Sequence, residues 1–474
     1  MLRAAVLGLP LAIFLIVYSF YLPDEPLINP DSPGYLTFAA YRTGGYPAVL
    51  ALLRPVVRDV ADYAVAQRLL YGLSVLLLAC QLLWTLRNTL VSVVAEFALL
   101  GNDFVNRYHF AIFTESLFLS TSALFIAAVL AHLRTGKSTS LALASALAGY
   151  ATAIRPTGLV FVPALVVLVA VAPRLTHSVW RRIVVATVPL IAVLALEAIY
   201  YHAHNPGPRQ SLLAVQVLGK AGMIDVTDTE ELLRRAPPDT KPLQVALETS
   251  LAPIRKVVAE APDGATRCWL VQNYESFVEY RFAPAERAAL VASSGQQALV
   301  VSGLLRLQFG WRDYLRLSVD HLLCLWGAGL ATGNELAVRH AFIESRQPLP
   351  FEQELPSVPP AGVDPHAGFR KLLVLIKIGF LAIALLLAFS SAVLVGTLCR
   401  RRRPSMELAV GGLCGLIVHG GLLLTALTGI GIPRYVCGLW VPMAIGFGMS
   451  ALWLVSFVRP VSRPIFAKPG TTPA

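Results

Sequence analysis

The sequence has 474 residues, of which 56% are hydrophobic and only 14% are charged, and its mean hydropathy is +0.65. Average soluble proteins carry about a quarter charged residues, so this composition excludes an ordinary water-soluble enzyme. The net charge of +11 comes from Lys and Arg residues dispersed between apolar runs, which excludes nucleic acid as a partner. A polytopic membrane protein remains.

Ten apolar segments have the length of a membrane-spanning helix, which needs roughly 17–25 residues. They lie at residues 4–22, 66–86, 88–104, 114–133, 138–154, 157–173, 183–203, 372–398, 407–428 and 436–457. The first has no Ala-x-Ala-like site after it, so we expect a retained span and not a cleaved signal. The sequence therefore predicts an all-α polytopic membrane protein with about ten transmembrane helices.

The positions of Lys and Arg in the short loops predict the orientation, because these residues are enriched on the cytoplasmic side. Arg87, Arg134, Lys137 and the run at 400–403 all lie on one side if the N-terminus is cytoplasmic. An even number of spans then places both termini in the cytoplasm. We therefore expect the protein to lie in a bacterial inner membrane, with the lipids of that membrane among its partners.

This topology leaves two long segments outside. Residues 23–65 form a first outer loop, and 204–371 form a mainly helical extracytoplasmic insert between the seventh and eighth spans. We therefore expect three domains: a transmembrane core at 1–203, the insert, and C-terminal transmembrane helices with a cytoplasmic tail at 372–474. Cys268 and Cys324 both lie in the insert, where an oxidising compartment would allow them to pair.

Five ionisable residues gather at the outer ends of the spans: Asp31, Asp103, Glu115, Arg155 and Arg434. Such convergence suits a reaction at the level of the lipid headgroups. Two of them also have structural interpretations. Asp31 is a candidate N-cap for a short interfacial helix at 35–58, and Arg155 is a candidate interface anchor or salt-bridge partner of a loop carboxylate.

Glu96 differs from this group because it falls midway along the third predicted span. An acid at that depth costs roughly 2.5–3.5 kcal/mol on insertion scales, so it needs an explanation. We expect it to bond a Ser, Thr or Tyr of a neighbouring span.

Four segments resemble the GT-C class of membrane glycosyltransferases, which use a polyprenyl-phosphate sugar as donor. They are Asp31-Ser-Pro-Gly-Tyr35 with Gly44-Gly-Tyr46-Pro47, then Phe113-Thr-Glu115, then Arg155-Pro-Thr-Gly158, then Pro433-Arg-Tyr435. The resemblance covers residues 1–203 and 372–458 and leaves the insert unmatched. It departs from the family in the first loop, where many members have two adjacent acids. Here Ser32 follows Asp31, and the pair Asp24-Glu25 lies upstream, so either could supply the family's carboxylate.

The resemblance implies an inverting hexosyl- or pentosyltransferase similar to protein mannosyltransferases and aminoarabinose transferases. The acceptor would be a lipid, a glycan or a protein on the outer side of the membrane. By the same resemblance, the catalytic carboxylates are Asp31, Asp103 and Glu115; the donor phosphate is bound by Arg155, Arg434 and Tyr435; and the substrate is bound by Tyr35 and Tyr46.

The resemblance implies no certain cofactor. The second outer loop has Asn102-Asp103 but no Asp-x-Asp, so a divalent cation is neither required nor excluded, and the ligands of any metal are unknown. The alternative function is a transporter or flippase of a lipid-linked or small solute. Transporters usually show two related halves with polar groups near the midplane of the bilayer, whereas these groups collect at one face.

Overall fold

The computed structural model describes residues 2–21, 28, 31–171, 178–207, 209, 212–260, 271, 275, 278, 282–326, 370–429 and 433–458. This described part of the chain is helical and contains no strand. It packs as two units. The first comprises Met1–Pro208, Ile383–Gly421 and Cys437–Ala474, and the second comprises Arg209–Ala382 and Leu422–Val436.

The helices are numbered here in chain order. Those in the N-terminal half are α1 (Leu2–Tyr21), α2 (Ser32–Leu36), α3 (Gly45–Leu53), α4 (Val60–Leu86), α5 (Thr89–Leu100), α6 (Asp103–Asn106), α7 (Thr114–Thr135), α8 (Ser138–Ile154), α9 (Phe161–Val171) and α10 (Val179–His204). Those in the C-terminal half are α11 (Leu212–Gly222), α12 (Thr229–Arg235), α13 (Lys241–Ala259), α14 (Pro284–Ser294), α15 (Gln297–Trp326), α16 (Arg370–Cys399), α17 (Met406–Thr428), α18 (Pro433–Gly438) and α19 (Trp440–Val458). Two 3-10 turns, Arg107–Phe110 and Pro156–Val160, complete the described elements.

Each of the ten predicted spans coincides with an apolar helix. Among the described residues, α4, α7, α10, α17 and the part of α16 from Ile378 onward are long and apolar enough to cross a membrane, and the bent pair α14–α15 would make a sixth. The other apolar helices are shorter: α5, with 12 residues, is about 18 Å long, against about 30 Å for the hydrocarbon core. The protein is an integral membrane protein, and the full count of ten spans stays a prediction.

The core of the first unit lies around α7, which packs against α4 on one side and α8 on the other. Small hydroxyl residues make this close packing feasible, as is common between membrane helices. Ser120, Thr121 and Ser122 are buried, and each donates its hydroxyl to the carbonyl four residues earlier, so none of these three hydroxyls is left unpaired. By contrast, α10 packs on α8 and is mostly exposed.

The second unit has an apolar core that α11, α13, α14 and α15 share. At its centre the fully buried Arg306 bonds Glu248 at 2.6 Å and the carbonyl of Ala221 at 2.8 Å. Thr229–Arg235 forms α12, with Asp228 accepting a hydrogen bond from the backbone N–H of Glu231. The regular structure described in the insert is helical, with turns between the helices.

One cysteine of the insert is oxidised. Cys324, near the end of α15, is disulfide-bonded, whereas Cys80, Cys399, Cys414 and Cys437 are free. The remaining cysteine, Cys268, lies outside the described residues.

Candidate active site

Asp31 does not cap a helix with its side chain. It stands at the N-cap position of α2, but its backbone is helical and its carboxylate makes no capping hydrogen bond. Instead Oδ1 accepts a hydrogen bond from the Arg42 guanidinium at 2.6 Å. The predicted helix at 35–58 is also wrong in extent, because the chain forms the two separate helices α2 and α3 there. The break lies between Leu36 and Gly45, where Phe38 has a φ of 51°, a left-handed conformation that does not continue a helix.

Arg42 is the residue that the sequence reasoning missed. Its guanidinium lies 4.2 Å from the ring centre of Tyr35 and 4.8 Å from that of Tyr41, and it donates to the Tyr35 hydroxyl at 3.0 Å. Burial lowers the pKa of Arg42, but the influence of Tyr35 and Asp31 outweighs burial and leaves the pKa raised. An arginine between two tyrosines in a loop is only a weak sequence signal for a functional residue. The one feature that could have identified Arg42 is its position close to Asp31 in the sequence.

The Asp31–Arg42 pair is unequally exposed. The side chain of Arg42 is 9% exposed, whereas that of Asp31 is 30% exposed. Water or a substrate can therefore reach the carboxylate, while the guanidinium is held from behind by aromatic rings.

The two tyrosines predicted to bind substrate are packed together behind this pair. The rings of Tyr35 and Tyr46 meet edge to face with their centres 5.2 Å apart. The Tyr46 hydroxyl donates to Gln67 at 2.8 Å, and Gln67 in turn donates to the Ala111 carbonyl at 3.1 Å. Burial raises the pKa of both tyrosines, so both hydroxyls stay protonated at neutral pH.

Glu115 and Arg155 form a second ion pair, which is buried. Arg155 Nη1 lies 2.9 Å from Glu115 Oε1, and the side chains are 10% and 2% exposed, respectively. Thr114 donates its hydroxyl to the other carboxylate oxygen at 3.3 Å. Arg155 is therefore the salt-bridge partner of a carboxylate, which was one of the two structural interpretations of this residue. The roles predicted for both residues in catalysis and phosphate binding stay predictions.

The loop that carries Asp31 and Arg42 is tied to the ends of several helices. Ser32 donates to the Ile112 carbonyl at 3.1 Å, and Thr43 donates to the Ile154 carbonyl at 2.7 Å. The Gly44 N–H donates to Glu197 of α10 at 2.7 Å. At Gly45 a Cβ atom would lie 2.6 Å from the Ala153 carbonyl, so only glycine allows this approach. These bonds position the Asp31–Arg42 pair rigidly, as a reactive site requires.

Two predicted site residues are described only through their backbone. Asp103 begins the short helix α6, and Arg434 lies in α18, but the side chains of both are outside the described residues. Tyr435 is half-buried. Arg434 and Tyr435 belong to the second unit, whereas Asp31, Glu115 and Arg155 belong to the first.

Glu96 does not have the partner expected from the sequence. Its side chain is fully buried in α5, and neither carboxylate oxygen has a hydrogen-bond partner among the described residues. The expectation of a bonded Ser, Thr or Tyr is therefore wrong.

A metal site is not apparent in the described part of the chain. No three side chains of His, Cys, Asp or Glu converge there closely enough to hold a metal ion.

The fold and these ion pairs define an all-α integral membrane protein with a charged, partly exposed cluster on a rigid loop. The chain matches no family model and no curated protein sequence. Among solved structures it is similar to the arabinosyltransferase EmbB from Mycobacterium smegmatis, at 17% sequence identity and a TM-score of 0.31. That alignment covers 95% of this chain and 41% of that chain, so this chain spans less than half the length of EmbB. A likeness of this strength carries no argument about activity.

Proposed function

We propose that this protein is an inverting glycosyltransferase that moves a sugar from a polyprenyl-phosphate carrier to an acceptor on the outer side of the membrane. The observation that supports it is the Asp31–Arg42 pair: a reachable carboxylate in contact with a guanidinium, on a loop fixed by hydrogen bonds. The four family-like segments in the sequence give this pair its chemical context.

The reaction needs one proton acceptor and one cation. The acceptor hydroxyl oxygen attacks the anomeric carbon, and the bond from that carbon to the phosphate oxygen breaks. The electron pair leaves with the polyprenyl phosphate, and Asp31 takes the hydroxyl proton. Because this is a single displacement, the configuration at the anomeric carbon inverts.

Arg42 is the phosphate-binding cation in this proposal. Its planar guanidinium suits two phosphate oxygens, and its charge is fixed at every relevant pH. A carboxylate oxygen that accepts a bond from Arg42 is a poor proton acceptor, so Arg42 must exchange Asp31 for the phosphate before transfer. Donor binding therefore frees the base that the second substrate needs.

Glu115 and Arg155 have a different role in this scheme. Each neutralises the charge of the other. Together they join the start of α7 to the end of α8 beside Tyr35. The proposal also includes contacts of Arg434 and Tyr435 with the donor phosphate and a catalytic role for Asp103. These roles rest on the family resemblance alone.

The outward location of the site is supported by two observations. Lys and Arg are enriched in the loops on the opposite side. The disulfide at Cys324 in the insert is a bond that persists in oxidising compartments outside the cytoplasm. We infer a bacterial inner membrane with both termini in the cytoplasm, and a lipid, glycan or protein as acceptor.

A transporter or flippase is the second candidate, and Glu96 is the observation that favours it. Buried acids without partners in membrane helices often belong to proton or ion pathways. Exchange of Glu96 for Gln should abolish uptake of solute into vesicles if this candidate is right, and should leave sugar transfer unchanged if the first is right.

The deciding experiment incubates purified protein with a panel of polyprenyl-phosphate sugars and measures the release of polyprenyl phosphate. We expect release with at least one donor, and a KM for that donor raised roughly 10-fold in Arg42→Lys, which keeps the charge but loses the planar fork. Arg54→Lys, an exposed arginine of the same loop, is the matched control. An absence of release with every donor would contradict the transferase, and a normal KM in Arg42→Lys would contradict the role of Arg42.

A further inference from the structure

The second unit contains a buried charged cluster that the proposed reaction does not use. Lys220 of α11, His321 of α15 and Glu275 are each only 1% exposed. Lys220 Nζ lies 3.0 Å from His321 Nδ1, and His321 Nε2 lies 3.4 Å from Glu275 Oε1. The imidazole of His321 also forms a hydrogen bond to the carbonyl of Ala426. The three groups together are electrically balanced.

This cluster binds the end of a transmembrane helix. The last carbonyls of any α-helix have no partner within it, and cations near that end are favoured by the helix dipole. At the C-terminal end of α17, Lys220 donates to the carbonyl of Ala426, and the hydroxyl of Tyr314 donates to the carbonyl of Leu427. Two side chains of the insert thus satisfy two of the free carbonyls of α17.

The packing of the chain agrees with these contacts. Residues Leu422–Val436 pack with the insert as one unit, although α17 begins in the other unit. This stretch includes Arg434 and Tyr435, the two residues that the family resemblance assigns to the donor phosphate. We propose that Lys220 and Tyr314 are positioning residues that anchor the C-terminal end of α17, and through it α18, the short helix that carries Arg434 and Tyr435. The functional half of this inference rests on the proposed transferase activity.

The anchoring predicts a local loss of protection when either bond is removed. Lys220→Met keeps the length of the side chain and removes its charge, and Tyr314→Phe removes only a hydroxyl. In hydrogen exchange followed by mass spectrometry, peptides within 422–436 should exchange at least about 10-fold faster in Lys220→Met and about 5-fold faster in Tyr314→Phe. Lys220→Arg, which can still donate to the carbonyl, should exchange more slowly than Lys220→Met.

Two matched controls separate anchoring from general damage. Lys241→Met removes an exposed lysine of the same unit, and Tyr63→Phe removes a hydroxyl that donates to the Leu50 carbonyl in the other unit. Both should leave the exchange of 422–436 unchanged, and peptides from α7 should be unchanged in every variant. If Lys220→Met does not fold, Tyr314→Phe alone decides. Normal exchange in Tyr314→Phe and in any folded Lys220→Met would overturn the anchor.

The second measurement is the affinity for polyprenyl phosphate, determined by direct binding. We expect it to fall about 5-fold in Tyr314→Phe, with the wild-type value in Tyr63→Phe. Faster exchange with unchanged affinity would overturn the positioning role. Failure of the transferase proposal would appear differently, as no binding and no turnover in the wild type, while the exchange data would still test the anchor.

Discussion

In the first unit, Asp31 keeps 30% of its side chain exposed while it contacts Arg42, whereas in the second unit Lys220, His321 and Glu275 are each 1% exposed. Both clusters balance charges at short range. They differ in access: the Asp31 carboxylate can be reached from outside the protein, whereas Lys220 is enclosed. Within the first unit the same contrast separates Asp31–Arg42 from the buried Glu115–Arg155 pair. Under the proposed function, exposure on a rigid loop is what makes Asp31–Arg42 the reactive pair and the enclosed pairs structural.

The largest effect should come from breaking the buried pair of the first unit. Glu115→Gln leaves Arg155 as an uncompensated buried charge, which should lower the free energy of unfolding by about 3–5 kcal/mol, measured by thermal unfolding in detergent. The double variant Glu115→Gln with Arg155→Met removes both charges and should recover most of this loss. A double variant that is stable but inactive would show that Glu115 or Arg155 takes part in the reaction.

A smaller effect, on turnover and not on folding, should come from the exposed pair. Asp31→Asn keeps the size of the side chain and its bond to Arg42 but cannot take a proton, so turnover should fall at least roughly 100-fold with donor binding preserved. Asp59→Asn is the matched control, because Asp59 caps α4 in the same outer loop and Asn caps about as well as Asp. Normal turnover in Asp31→Asn, with loss in Asp24→Asn or Glu25→Gln, would move the base to the upstream acids.

The smallest effect should be a pH dependence of stability from Lys220. Burial lowers the pKa of Lys220 from its ordinary 10.5 to about 8, against an opposing contribution from Glu275. Between these values the unfolded chain holds a proton that the folded protein has released, so the free energy of unfolding should rise with pH, by at most about 1.4 kcal/mol per pH unit. The neutral amine can still donate to Ala426. Melting temperatures from pH 8 to 10 should show this rise in the wild type and lose it in Lys220→Met. If the melting temperature rises equally with pH in both proteins, a group other than Lys220 causes the rise.

The sequence by itself determined the class of protein and pointed to the residues of the candidate site. The length of the apolar runs predicted membrane helices, because only hydrophobic helices of that length are stable in a bilayer, and each run is an apolar helix in the structure. The family-like segments also singled out Asp31, Tyr35, Glu115 and Arg155. In the structure the three charged residues belong to two ion pairs, and both pairs act electrostatically on the Tyr35 hydroxyl.

The partner of each charge was decided only by the tertiary structure. Arg42 and Asp31 are 11 residues apart with α2 between them, and Glu115 lies at the start of α7 whereas Arg155 follows α8, so no local pattern records either pair. The same holds for Lys220, which lies 206 residues from the carbonyl it binds. The sequence also could not show that Glu96 has no hydrogen-bond partner among the described residues, because a helix such as α5 can meet many different neighbours. Periodicity is a property of one helix, whereas ion pairing depends on which helices meet, and that is fixed by the packing of the whole chain.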